Sequence, residues 1–418
     1  MTLIAELRMR APAARTGWDA TRGIRLVLSG SVLFLLLIGA NLATPLYAGL
    51  QRRLGYGSLG TSVAFASYVV ALVAVLVSAG HWSDYLGRRA AMVLAVLVGI
   101  AGSAVFASAG SLAQLCAGRA LQGMAVGLAT GACAAALREL LPHRPEWASR
   151  FTLLASSGGV ALGPLLGGAL ALAPGGTAVP FLVHAAALAA LLVPLVLVRA
   201  RPAPQLPAGG RPGRVLAPRS LRGAVPAPPA RGSFWVAAAT GFLSFAVFGY
   251  QLALSPGVFA RALGAGSPPL LGALAGLSLA SSAVSQVLAP AGRRRARGDG
   301  PLGLAVLAAS LAALAWGTAA ESPAVLIIAS IAAGVGQGAA FRAGFDAVAA
   351  SVPAAAHART VSLLYVVTYL GSAVPVVGLG ALVGAVGLGP AAVGFLGACA
   401  AAAALLAVLA GRPTVQGR

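Results

Sequence analysis

Few side chains in this sequence carry charge or strong polarity, and three runs gather them at spacings suited to moving helices, not to making bonds. The first is Gly80-His-Trp-Ser-Asp84-Tyr-Leu-Gly87-Arg88-Arg89. Here Gly80 lets a neighbouring helix approach, Asp84 accepts charge-assisted hydrogen bonds from arginine or a helix N-terminus, and Gly87 permits a tight turn. A carboxylate held this way latches two helices in one conformation. The second run, Arg119-Ala-Leu-Gln122-Gly123, puts a guanidinium inside an apolar stretch. Such a charge is costly in hydrocarbon and is expected to face a bundle interior or a wet cavity. In the third, Gly159-Val-Ala-Leu-Gly163-Pro164-Leu-Leu-Gly167-Gly168, glycines four apart leave a groove for a neighbouring backbone, and Pro164 removes one helical hydrogen bond. Farther on, Arg342 and Asp346 are four apart, share a helix face and are able to pair. No carboxylate cluster suits acid/base catalysis, and no His or Cys set has metal-ligand spacing. The sequence therefore predicts no enzyme activity, no catalytic residue, no metal and no cofactor. Cys116, Cys133 and Cys399 lie in apolar stretches and read as small packing residues.

The elements that must position these runs are membrane spans. Hydrophobic residues make up 59% of the 418, charged residues 9%, and the mean hydropathy is +0.91. A typical soluble domain carries about 25% charged residues. Apolar runs of about 20 residues, each long enough for a helix to cross a ~30 Å hydrocarbon core, follow one another along the chain. Twelve are predicted, near 26–50, 59–80, 90–110, 112–137, 151–173, 178–198, 234–256, 269–290, 301–320, 323–346, 361–385 and 390–410. The first is too long for a cleavable signal peptide, so it is expected to remain in the mature protein. The formal charge of +21 would suggest nucleic acid in a soluble protein. Its distribution argues otherwise, since the arginines fall in alternate loops: Arg8 to Arg25, Arg88 and Arg89, Arg138 to Arg150, Arg199 to Arg231, Arg293 to Arg297, Arg359, Arg412 and Arg418. Only Arg52, Arg53 and Arg261 occupy the others. By the positive-inside rule both termini are expected in the cytoplasm, with no nucleic-acid partner.

The Pro- and Arg-rich stretch 199–232 cannot bury a core and is expected to be a cytoplasmic linker. It separates a bundle at 26–198 from one at 233–410, with a leader at 1–25 and a tail at 411–418. A shift of 211 residues superposes Pro45 on Pro256, Gly55 on Gly266, Gly87 on Gly298, Gly123 on Gly334, Gly127 on Gly338, Pro142 on Pro353, Pro164 on Pro375 and Gly167 on Gly378. With only 26 prolines in the chain, four pairs at one ungapped shift indicate a duplicated six-helix unit, one of the transporter architectures. In the second half Gly292 to Asp299 keeps the arginines of the Gly80–Arg89 run but not its Asp spacing, so any latch is asymmetric.

The run from Gly80 to Arg89 resembles the G-x-x-x-D-x-x-G-R-R/K signature of the major facilitator superfamily. Arg119, Gln122 and Gly123 are similar to the R-x-x-Q-G pattern of its fourth helix, and Gly159 to Gly168 to the G-x-x-x-G-P-x-x-G-G motif of its antiporters. The resemblance covers the chain from the first span to the twelfth. It implies an all-α membrane fold of two pseudo-symmetric six-helix bundles, a conformational-switch loop at Gly80, Asp84, Gly87, Arg88 and Arg89, and a coupling role for Arg119. Because the first, fourth, seventh and tenth helices line the cavity in that family, it brings forward Asn41, Tyr250, Gln251, Gln337, Arg342 and Asp346 as substrate or proton sites. Each amide or hydroxyl among them is equally suited to bonding a backbone carbonyl. The peripheral sixth helix makes His184 a packed residue. Many drug/proton antiporters of this kind carry a carboxylate in the first helix, where this chain has only Asn41, so proton coupling would fall to Asp346, Glu139, Asp84 or unidentified groups. The expected function is proton-coupled efflux of a hydrophobic or amphipathic small molecule across a bacterial plasma membrane, by a monomer embedded in the lipid bilayer. The alternatives are an importer or facilitator on the same fold and, from another class, a non-transporting membrane sensor or enzyme.

Overall fold

The computed structural model describes residues 17–201, 217–218, 223–228, 230–264, 266–288, 293–352 and 354–411. The start of the leader, most of the linker, Gly292, Pro353 and the tail beyond residue 411 lie outside them, as do the side chains of residues 145, 293–298, 349–350 and 354–358. The described residues form twelve helices long and apolar enough to span a membrane: Arg22–Leu54, Ser58–Ala79, Arg88–Ala107, Leu112–Leu140, Glu146–Leu170, Gly176–Leu197, Ala230–Ala253, Pro268–Leu288, Asp299–Ala319, Pro323–Val348, Arg359–Val386 and Leu388–Gly411, numbered here as spans 1 to 12. Their starts follow from local chemistry. Thr21 and Ser111 cap spans 1 and 4 by accepting the amides of Ile24 and Gln114, and prolines open the helices of spans 5, 8 and 10.

Spans 1 and 7 carry matching interruptions. Helix Arg22–Asn41 gives way to a 3-10 turn at Thr44–Leu46 before helix Tyr47–Leu54, and helix Ala230–Ala253 breaks before Ser255–Leu263. Pro45 and Pro256 sit at these breaks because neither can donate the amide a continuous helix would require. Pro164 and Pro375, also paired by the 211-residue shift, lie inside the helices of spans 5 and 11.

The chain forms two compact units. The first takes Met1–Leu46 and Ser67–Ser220; the second takes Tyr47–Ala66 and Leu221–Arg418. Inside the first, span 1 packs on spans 4, 5 and 6, and span 3 on spans 4 and 6. Inside the second, span 7 packs on spans 10, 11 and 12, and span 9 on spans 10 and 12. These five pairs are the same once six is added to each number, so the two units share most of one packing scheme. Small residues carry it, as expected where lipid removes most of the hydrophobic drive for helix association. Gly127 faces the Leu72 carbonyl, where a Cβ would come within 3.0 Å, and its repeat partner Gly338 faces the Ser282 carbonyl at 2.7 Å. Within the second unit, the Tyr47–Ala66 stretch is tied by Gln51 donating to Thr61 Oγ1 at 2.7 Å.

Candidate functional site

The Gly80–Arg89 run folds as one helical turn, Ser83–Leu86, followed by Gly87 at φ 91°, ψ 150° and then the helix of span 3. That positive φ reverses the chain between two helices and disfavours any residue with a Cβ. The reversal places Arg88 at the centre of the cluster. Its Nη1 donates to Asp84 Oδ1 at 2.7 Å and to Ser83 Oγ at 2.6 Å, while Nε donates to Glu139 Oε1 of span 4 at 2.9 Å. The arginine thus joins the turn before span 3 to the end of span 4. Arg89, 7% exposed, points the other way and donates to the carbonyls of Val196 and Val198, closing the C-terminal end of span 6.

Arg119 is 1% exposed and lies wholly inside the first unit. Its Nη1 donates to the carbonyl of Ala40, where span 1 is about to break, and to Gln122 Oε1 at 2.9 Å. The guanidinium carbon stands 4.6 Å from the ring centre of Tyr68 in span 2. One cation therefore joins spans 1, 2 and 4, with an aromatic face supplying part of its solvation. Arg119 Nε and Gln122 Nε2 are buried with no hydrogen-bond partner among the described residues. Two donors thus remain for an acceptor from water or a ligand. Gly123 follows them because a Cβ there would collide with the Tyr68 carbonyl.

The glycines of span 5 form the seam with span 1. A Cβ on Gly159 would lie 2.5 Å from the Phe34 carbonyl, one on Gly163 2.8 Å from the Ile38 carbonyl and 2.6 Å from Asn41 Cβ, and one on Gly167 would strike the Leu42 carbonyl. Three glycines four apart thus meet three carbonyls four apart. Pro164 and Gly168 are buried in the same helix. Asn41 is 6% exposed and donates from Nδ2 to the Leu37 carbonyl at 2.8 Å, a bond within its own helix.

In the second unit, Tyr250 is 2% exposed with its ring 5.8 Å from that of Phe395 in span 12. Gln251 and Gln337 are buried as well, and Gln251 Nε2 has no partner among the described residues. Arg342 lies 3.6 Å from Asp299 at the start of span 9, so its ion pair crosses between helices and does not run along its own to Asp346, which is exposed. The cause is the close approach of spans 9 and 10, where a Cβ on Gly303 would come 2.9 Å from the Gly336 carbonyl. His184 bridges spans 1, 3 and 6: its Nε2 donates to the Leu35 carbonyl at 2.9 Å, and its Nδ1 shares a hydrogen bond of 2.7 Å with Ser103 Oγ. That geometry makes the imidazole a packing strut.

Sequence reasoning missed an aromatic run shared by spans 7, 10 and 11. Phe245 stands 5.5 Å from Phe248, 5.7 Å from Phe341 and 5.1 Å, edge to face, from Tyr369. Phe345 and Tyr365 continue it at 5.6 Å from each other. All six rings are half-buried, unlike the nominated Tyr250, Gln251 and Gln337. The available signal was the spacing: Phe245 and Phe248 are three apart, Phe341 and Phe345 four, and Tyr365 and Tyr369 four, each pair on one helix face.

Residues 30–376 match the family model of the Major Facilitator Superfamily. The MFS-type transporter TwmF of Talaromyces wortmannii is 34% identical over 105 residues, which are 25% of this chain and 19% of that protein. The multidrug resistance protein Stp of Mycobacterium tuberculosis (strain CDC 1551 / Oshkosh) is 28% identical over 155 residues, 36% of this chain and 29% of that protein. The matches thus span less than a third of either curated relative. Among solved structures, a bacterial homologue of the human lysosomal transporter Spinster, inward-facing and unoccupied, superposes with a TM-score of 0.72 at 16% identity, covering 94% of this chain and 96% of that one. The human organic anion transporter MFSD10 gives 0.65 at 20% identity, over 94% and 100%. A point mutant of the nucleoside transporter NupG gives 0.72 at 12%, over 93% and 100%. These structural likenesses speak for the fold alone. With twelve spans in two repeated bundles and a family match over most of its length, the chain belongs to the Major Facilitator Superfamily and is a multi-pass membrane transporter, not an enzyme.

Proposed function

We propose that the protein exports a hydrophobic or amphipathic small molecule in exchange for protons, by alternating access of two halves at 26–198 and 233–410. The observation that carries this reading is the half-buried aromatic run from Phe245 to Tyr369, six rings on three helices with no formal charge among them. Such a wall suits an apolar or aromatic solute and gives a sugar phosphate no counter-charge. Supporting export, the Gly159–Gly168 run has the antiporter pattern and forms the seam with span 1, and the relative Stp is named a multidrug resistance protein. In this reading Arg119 and Gln122 couple the solute to span 1, the Asp84–Arg88–Glu139 cluster is the switch, and the exposed Asp346 exchanges the proton. The arginine distribution supports both termini in the cytoplasm of a plasma membrane, and the protein acts as a monomer.

The test is uptake of fluorescent aromatic cations and neutral dyes into inverted vesicles under an imposed pH gradient, with Phe245→Ala and Tyr365→Ala beside the parent. Gradient-driven uptake that both variants weaken supports the reading. Dye movement indifferent to the gradient would falsify proton exchange and favour a facilitator.

A further inference from the structure

At the end of the first unit that carries the Gly80–Arg89 turn, a cavity of about 70 Å³ opens between spans 1, 3, 4 and 6. On this measure one water needs roughly 10–15 Å³, so there is room for a compact polar group. Five arginines line it, Arg25, Arg88, Arg89, Arg199 and Arg201, against the single acid Glu139. Two features set this cluster apart from a solvated basic loop. Its framework is built: Trp18 pairs with the exit of span 6 through hydrogen bonds of 2.8 Å to Leu197 and from Arg199, and Arg25 Nη1 donates to the Arg199 carbonyl at 2.9 Å. Its charge is also incompletely answered. Arg88 is engaged by carboxylates, and Asp19 reaches Arg25 and Arg199 only at 3.6 and 3.8 Å. Arg199 Nε is buried without a hydrogen-bond partner among the described residues. The N-terminus of the span 3 helix, whose cap residue Gly87 offers no side-chain acceptor, adds its amides at the same place.

We infer that this cavity is a binding site for a phosphate-ester anion, supplied by the headgroup of an acidic phospholipid. Arginine forks match phosphate oxygens in pairs, and basic pockets between membrane helices take such headgroups. The apolar part of the lining, with Leu28, Met92 and Leu195, favours a lipid over free phosphate, since an acyl chain can lie along it. The chain's own neighbouring segments are poor occupants. Residues 1–16 hold three arginines, Arg8, Arg10 and Arg15, and one acid, Glu6, while 202–216 hold Arg211 and Arg214 and no acid.

The experiment uses the purified full chain in neutral detergent, titrated separately with phosphatidylglycerol, phosphatidylcholine and inorganic phosphate. Thermal unfolding and retained lipid by native mass spectrometry are the readouts. Phosphatidylglycerol is expected to be retained and to raise the unfolding temperature, phosphatidylcholine to do neither. Arg199→Gln with Arg201→Gln should weaken phosphatidylglycerol about twenty-five-fold, at roughly a factor of five per arginine. Arg261→Gln, which removes a charge from the second unit, should leave it intact. Because Arg201 is exposed, Arg201→Glu alone is expected to leave the unfolding temperature of the lipid-free protein unchanged and should weaken binding too. Equal retention of both lipids, or variants that bind like the parent, would overturn the site. Protection by inorganic phosphate equal to that by phosphatidylglycerol would overturn the lipid as its source.

Discussion

A single guanidinium carries much of what distinguishes the first unit from inert packing. Arg119 has no carboxylate partner among the described residues, where its charge rests on the Ala40 carbonyl, Gln122 and the face of Tyr68. A planar fork is needed to meet a carbonyl and an amide oxygen while stacking on a ring, and an ammonium cannot do all three. Arg119→Lys is therefore expected to lower transport by at least about tenfold at normal protein levels, read as initial rates in vesicles; a lysine variant with parental rates would remove Arg119 from the mechanism. Asp346 calls for the opposite logic. It is exposed, while Arg342 pairs with Asp299, so Asp346→Asn should leave the unfolding temperature unchanged and abolish the dependence of flux on the pH gradient. Gradient dependence that survives would move the proton elsewhere. Arg119 was legible because a charge in an apolar run is conspicuous. The partner of Arg342 was not, because helix periodicity offers Asp346 four residues away and says nothing of which helix lies alongside. The approach at Gly303 and Gly336 decided it.

Helices in this protein meet through glycine, and the seam between spans 1 and 5 makes the clearest case. Gly163 lies against Ile38 and Asn41 with no room for a Cβ, whereas Gly30 of span 1 has nothing near it. Gly163→Leu should cost about 1–3 kcal/mol, the usual range for overpacking, and lower the unfolding temperature in detergent, while Gly30→Ala should not. Equal effects at the two positions would mean that the seam does not hold the unit together. The Arg88 cluster behaves differently. Glu139 is 42% exposed, so its pair with Arg88 is screened and contributes at most about 1 kcal/mol. Arg88→Ala is thus expected to change transport far more than stability, which parallel flux and melting measurements would reveal. The twelve spans could be read from the sequence, since apolar length is local. The aromatic run could not, because Phe245, Phe341 and Tyr365 converge from helices that lie far apart in sequence, and only packing brings them together.

Across the whole molecule, topology and charge belong together. If the arginine-rich loops are cytoplasmic, a cysteine introduced as Pro142→Cys should react with an impermeant thiol reagent in inverted vesicles and not in intact cells; the reverse pattern would invert the topology. The duplication, visible in the sequence as a 211-residue shift, reappears as one packing scheme used twice, with glycines 127 and 338 in matching places. The copies are not interchangeable, however. Position 88, an arginine bonded to Glu139 of span 4, corresponds to position 299, an aspartate paired with Arg342 of span 10. Two exchanges of equivalent helices are conceivable, span 3 against span 10 and span 9 against span 4. The first error would set Arg88 beside Arg342, and the second Asp299 beside Glu139. The inverted signs therefore key each copy of the shared packing scheme to its own helices, because an exchange would trade an attraction for a like-charge repulsion.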